Sequence, residues 1–145
     1  MAGALDLQLA ELRAGFFDTE SVRRSLDAAT RKSLSKFGAF VRTRARSSVR
    51  KRKKVSEPGA PPSSHEGSLK RLILFAYDPA RKSVVIGPAR FERGEAPPLL
   101  EYGGTVVRQG RDGPRRLVYR PRPFIGPAAA AELPRLGDAI RSAIN

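Results

Sequence analysis

The sequence predicts an α+β fold: a long N-terminal helix and a C-terminal helix packed on a small, mostly antiparallel β-sheet. Three observations carry this. Apolar residues recur at three- and four-residue steps from Val22 to Val49; short β-branched runs bounded by Pro, Gly and Asp lie between Leu69 and Arg120; an alanine-rich amphipathic stretch closes the chain. The 145 residues suit a single domain, 1–145, with one ordinary core and no internal repeat.

The chain starts with "LDLQLAEL", in which Leu5, Leu7 and Leu9 alternate with Asp6, Gln8 and Ala10. Period two favours a short strand over a helix through Leu12. Asp18 and Thr19 are good N-cap residues for a helix beginning beside them. Val22, Leu26, Ala29, Ser33, Phe37, Phe40, Val41, Ala45 and Val49 mark one face of that helix, placed at 19–54, and the other faces are basic. Gly38 interrupts this helix where another part of the chain can approach closely.

"SEPGAPPSSHEGS" predicts a flexible loop over 55–68. The sheet region, 69–120, holds "LKRLILFAY" and "KSVVIG" as strands around an Asp78–Arg81 turn. "FERGEAPP" reads as a second loop. "LLEYGG" then leads into a hairpin of "TVVRQ" and "RRLVYR", with a long tip at Asp112-Gly113. Pro121, Pro123 and Pro127 punctuate an extended connection to a C-terminal helix at 127–144, where Pro134 marks a kink or a new start.

Net charge is +14, and its placement is uneven. Between Arg23 and Lys54 there are 13 Lys/Arg and one acid, Asp27; everything else holds 15 Lys/Arg against 13 acids. The densest part is "RKRKK", Arg50 to Lys54. Such a block is a solvated helix end, a targeting tag, or a surface for a polyanion or an acidic protein. On the binding reading the contacts come from Arg42, Arg46, Arg50, Lys51, Arg52, Lys53 and Lys54, and with nucleic acid they are sequence-independent and salt-sensitive. No helix-turn-helix spacing, zinc motif or aromatic base-reading pattern accompanies them.

Catalytic material is sparse. There is one histidine, His65, beside Glu66 in a polar loop, and no cysteine. The acids are scattered, and neither a phosphate-binding glycine loop nor a nucleophile elbow occurs. The chain is expected to be no enzyme, with no catalytic residue, metal or cofactor. The start lacks the features of a signal peptide, and the strongest apolar run, Leu72 to Tyr77, is too short to span a bilayer.

Five short motifs occur in order: the long helix of Val22–Val49, Gly67 with Leu69, Val84–Gly87, Glu101-Tyr102-Gly103 and Arg122-Pro123-Phe124. Over residues 20–144 this order resembles the tail-completion, or head–tail joining, proteins of long-tailed bacteriophages. The resemblance implies a structural virion protein of the neck, in a ring, hexameric in such families, around the DNA path. Its implied partners are copies of itself, portal or adaptor proteins, tail-tube or tail-terminator proteins, and double-stranded DNA without sequence preference. Its implied place is the virion, and the host cytoplasm during assembly. Tail completion, head closure and tail termination stay open as stations, and a cellular sequence-independent nucleic-acid-binding protein is the alternative. Physically, Gly103-Gly104 permits a sharp change of direction after a strand. Glu101 has Arg122 or a neighbouring subunit as candidate partner, and Pro123 stiffens the approach to Phe124, a candidate core plug.

Overall fold

The structure, a computed structural model, describes residues 19–89 and 96–144. The alternating segment at 5–12, predicted as a strand, lies outside the described residues, as does most of the "FERGEAPP" loop. The fold is mixed α+β, with a long helix and a C-terminal helix packed together beside small antiparallel ladders.

Helix α1 runs Thr19–Ser48. It stops six residues short of the expected end at 54, for two reasons. Continuing would stack Arg46, Arg50 and Lys54 at four-residue steps with no acid between them, which destabilises a helix. In the last turns Ser47 Oγ also donates to Thr43 O at 2.9 Å and Ser48 Oγ to Ala45 O at 2.8 Å, local side-chain bonds that compete with helix continuation. The chain then forms a two-residue strand, β1 (Arg50–Lys51), which pairs in parallel with β2 (Ser63–Ser64).

Two stripes of α1 set the architecture. One faces the hairpin β3 (Ile73–Asp78)–β4 (Ser83–Pro88). Along it, Asp27 pairs with Lys82 at 2.6 Å, Arg31 lies 5.9 Å from the Tyr77 ring centre, and Arg42 Nε donates to Ile73 O at 2.9 Å. Gly38 sits between them because a Cβ there would lie 2.7 Å from both Phe75 Cδ2 and Val84 Cγ2. The close approach is thus by side chains of the hairpin. The other stripe faces α4 (Ile125–Ile144), which runs antiparallel to α1: Arg44 reaches Glu132 near one end, and Ser33 Oγ donates to Ala139 O at 3.5 Å toward the other. The core gathers where these elements meet, around Val41, Ala45, Val49, Ile73, Phe124 and Ala128.

Several local expectations change. "LKRL" opens with a helical turn, α2 (Ser68–Leu72), before β3 begins. "APPLLEY" is a helix, α3 (Ala96–Tyr102), in place of a strand. Prolines suit its first turn, and Gly103, at φ 72°, ends it with its N–H on Leu99 O at 2.9 Å. The next hairpin, β5 (Gly104–Gly110)–β6 (Gly113–Tyr119), turns in only two residues, Arg111 and Asp112, so its tip is short. The three ladders are separate two-stranded pieces, and β1–β2 is the parallel one. Pro134 lies inside one helical span, with α4 held along its length by α1.

The 55–68 loop contacts the rest of the fold at three points. Gly59 N–H donates to Pro121 O at 2.9 Å, Arg122 Nε donates to Ser56 O at 2.9 Å, and Pro62 is fully buried.

Candidate docking surface

The basic run sits between two fixed points. Arg50 to Lys54 are all exposed. The β1–β2 bridge and a 2.9 Å bond from Arg52 Nε to Ser63 Oγ hold its start. The Arg122–Ser56 bond holds its end. Arg122 Nη1 also donates to Arg120 O at 3.3 Å, so one guanidinium ties Ser56, just past the run, to the exit of β6. Sequence spacing hides this link, since Ser56 and Arg122 are 66 residues apart.

Little negative charge answers this segment. Of its 13 Lys/Arg, Arg44 is the one paired with a carboxylate among the described residues. The segment's own acid, Asp27, is turned to Lys82. Arg42 is half-buried and bonded to the Ile73 carbonyl, so it serves the fold; it does not stand with Arg50–Lys54 as a free cation. Arg46, one turn on, is half-buried and makes no hydrogen bond or ion pair with a described residue.

The "EYG" and "RPF" motifs meet in a single junction. Arg122 N–H donates to Leu100 O at 2.6 Å, laying the approach to α4 along α3. The Glu101 carboxylate then accepts three backbone N–H groups from the start of α4: Phe124 and Ile125 on Oε2 at 2.9 and 3.0 Å, and Gly126 on Oε1 at 2.7 Å. A helix start leaves its first N–H groups without internal partners and carries partial positive charge, so a carboxylate there satisfies both needs. Glu101 therefore caps α4 and does not pair with Arg122, whose guanidinium goes to Ser56 O and Arg120 O. Phe124 is 1% exposed in the core, Pro123 is half-buried, and Tyr102 points outward at 82% exposure. Gly103 and Gly104, at φ 72° and 146°, turn the chain from α3 into β5. A Cβ on Gly103 would lie 2.9 Å from Tyr119 O.

Sequence reasoning missed Glu132. It is buried, with its carboxylate 2.6 Å from Arg44 and 3.2 Å from Arg135. Its one signal is its place four residues after Ala128 and eight after Phe124, a charge on the apolar stripe of α4 facing a basic helix. His65 and Glu66 are both exposed, and among the described residues no group of three or more His, Asp or Glu is placed to hold a metal.

No family model, curated protein or solved structure matches this chain. Among the described residues no helix is long and apolar enough to cross a membrane. Fold and surface together define a class: a small α+β chain, braced by one capping carboxylate, that carries an exposed cationic strip with no carboxylate bonded to Arg50–Lys54 among the described residues.

Proposed function

We propose that this chain is a structural protein of a bacteriophage neck, acting by docking in a ring around the DNA path. The observation that carries the docking role is the exposed, anchored Arg50–Lys54 run with no carboxylate bonded to it among the described residues. A ring of chains each at +14 repels itself unless a polyanion or acidic neighbours offset the charge. DNA in the lumen does this without base reading. The neck assignment draws on the ordered motifs, two of which form the Glu101–Arg122–Phe124 junction.

The test is duplex binding measured by filter retention across a salt series, for the natural chain and for one with Arg50 to Lys54 all changed to Gln. The expected result is sequence-blind binding that falls steeply with salt and is weakened, with a shallower salt dependence, in the variant. Unchanged binding in the variant removes the DNA-facing role and reassigns the charge to acidic protein. Electron microscopy of assembled particles tests the neck location separately. A cellular nucleic-acid-binding protein is the second reading, favoured by the same cationic strip; finding genes for portal, capsid and tail-tube proteins beside this one would count against it, and finding translation genes there would support it.

A further inference from the structure

The β5–β6 hairpin packs chiefly on itself. Along Gly104–Gly110 and Pro114–Val118 every residue except Val106 is exposed, so both faces of the ladder meet solvent over most of its length. An isolated two-stranded hairpin is marginal in water, and β-branched Thr105, Val107 and Val118 favour its extended form.

The charge on this ribbon is nearly of one sign and is all arginine. Between Gly104 and Tyr119 stand Arg108, Arg111, Arg115 and Arg116, no lysine, and one acid, Asp112. Asp112 takes Arg115 at 3.0 Å, an exposed pair of the kind that contributes little. The guanidinium groups of Arg108, Arg111 and Arg116 make no hydrogen bond or ion pair with a described residue. The register distributes these cations around the ribbon. Arg108 and Arg115 stand opposite each other on one face, Arg116 lies opposite Val107 on the other, and Arg111 is in the turn. Like charges directly opposite weaken a ladder, so Arg108 against Arg115 destabilises the hairpin unless an anion lies between them.

Two kinds of partner carry enough negative charge, an acidic protein surface and a nucleic acid. A flat acidic surface answers one face of the ribbon and leaves the arginines of the other unmatched. A groove of duplex DNA has phosphate on both sides. The major groove, about 12 Å wide, admits a two-stranded ribbon, whereas the minor groove, about 6 Å wide, is too narrow unless opened. The planar fork of arginine also suits two-point contact with phosphate. We propose that the β5–β6 hairpin is an arm that enters the major groove of duplex DNA and holds the flanking phosphates through Arg108, Arg111, Arg115 and Arg116. Its anchor is shared with the Arg50–Lys54 run: the Arg122 guanidinium bonds both Ser56, just past that run, and Arg120, just past β6. The arm rests on the duplex-docking part of the proposed function, is independent of the neck location, and uses a different set of residues.

The test compares the full-length natural chain, a variant with Arg108, Arg111 and Arg116 changed to Gln, and Arg108→Glu, on random-sequence duplex DNA across a salt series. The glutamine variant is expected to bind more weakly, with a slope of log affinity against log salt shallower by about 2–3, while amide exchange verifies that the ladder persists. Arg108→Glu sets opposite charges across the ladder. Amide exchange in β5 and β6 is then expected to slow while affinity falls by about fivefold or more; a residue that served only the folding of the hairpin would move both the same way. Duplex whose major groove is filled by glucosylated cytosines is expected to bind the natural chain more weakly than plain duplex. No duplex binding by the natural chain overturns the docking function and the arm together. Binding that responds to the Arg50–Lys54 variant and ignores both hairpin variants overturns the arm alone. Equal affinity for plain and glucosylated duplex overturns the groove seating. Hairpin variants that lose polyglutamate binding and keep duplex binding overturn the proposal and assign the arm to an acidic protein.

Discussion

Glu101 Oε1 lies 2.7 Å from the Gly126 amide nitrogen, and through this contact α3 closes the first turn of α4. The other carboxylate oxygen takes the Phe124 and Ile125 amides, so a single side chain satisfies three donors at the start of a 20-residue helix. Loss of it leaves those donors to water or unpaired in a half-buried place. Glu101→Ala is expected to lower unfolding free energy by about 2 kcal/mol, and Glu101→Gln by about half that, since the amide keeps one acceptor oxygen without charge. Urea denaturation followed by circular dichroism measures both. Equal losses in the two variants would mean that charge contributes nothing to the cap.

Glu132 and Arg44 couple the two long helices. The carboxylate is buried and the arginine is half in solvent, so the two partners are unequal to remove. Arg44→Ala leaves the carboxylate with Arg135 alone and is expected to cost about 3 kcal/mol. The double change Arg44→Leu with Glu132→Leu removes the buried charge together with its partner and is expected to cost less than Arg44→Ala. A double-mutant cycle in urea checks the order, and a double variant less stable than Arg44→Ala refutes it.

At Gly38 packing outweighs helix propensity. Alanine would gain about 1 kcal/mol in an exposed helix. Here its methyl would sit 2.7 Å from the Phe75 ring and from Val84 Cγ2. Gly38→Ala is expected to destabilise by about 1–3 kcal/mol, and adding Val84→Ala should recover part of the loss. Thermal denaturation of the three proteins decides this, and a stabilised Gly38→Ala would show that the hairpin yields freely.

The basic residues divide into two kinds, which salt dependence separates. Neutralising Arg50 to Lys54 is expected to reduce the slope of log affinity against log salt for duplex DNA by about 4–5, roughly one per lost phosphate contact. Arg42→Ala should leave that slope unchanged and instead lower stability by about 1–2 kcal/mol, because its guanidinium holds the Ile73 carbonyl. A slope that responds to Arg42 would place this residue on the binding face.

The apolar spacing from Val22 to Val49 was enough to read α1, and Pro-, Gly- and Asp-bounded runs were enough to read β3, β4, β5 and β6. These are local matters: periodicity and turn chemistry act within a few residues and leave their trace in the order of the chain. The charge imbalance was equally plain, since counting needs no geometry. Where α1 ends was less so, because the cations of Arg50–Lys54 extend the helical pattern while their mutual repulsion and the Ser63–Ser64 partner oppose it.

Tertiary structure alone decided which cations are spent inside the fold and which remain outside. Arg42 and Arg52 look alike in the sequence, yet one holds a strand carbonyl and the other is exposed just past β1, bonded to the Ser63 hydroxyl. It likewise decided that Glu101 meets Gly126 and that Ser56 meets Arg122. These partners lie 25 and 66 residues apart, so each bond depends on how α3, α4 and the 55–68 loop pack before it can form. Short-range preferences settle which elements exist; the assignment of polar and charged side chains depends on distances between elements, which only the packed chain defines.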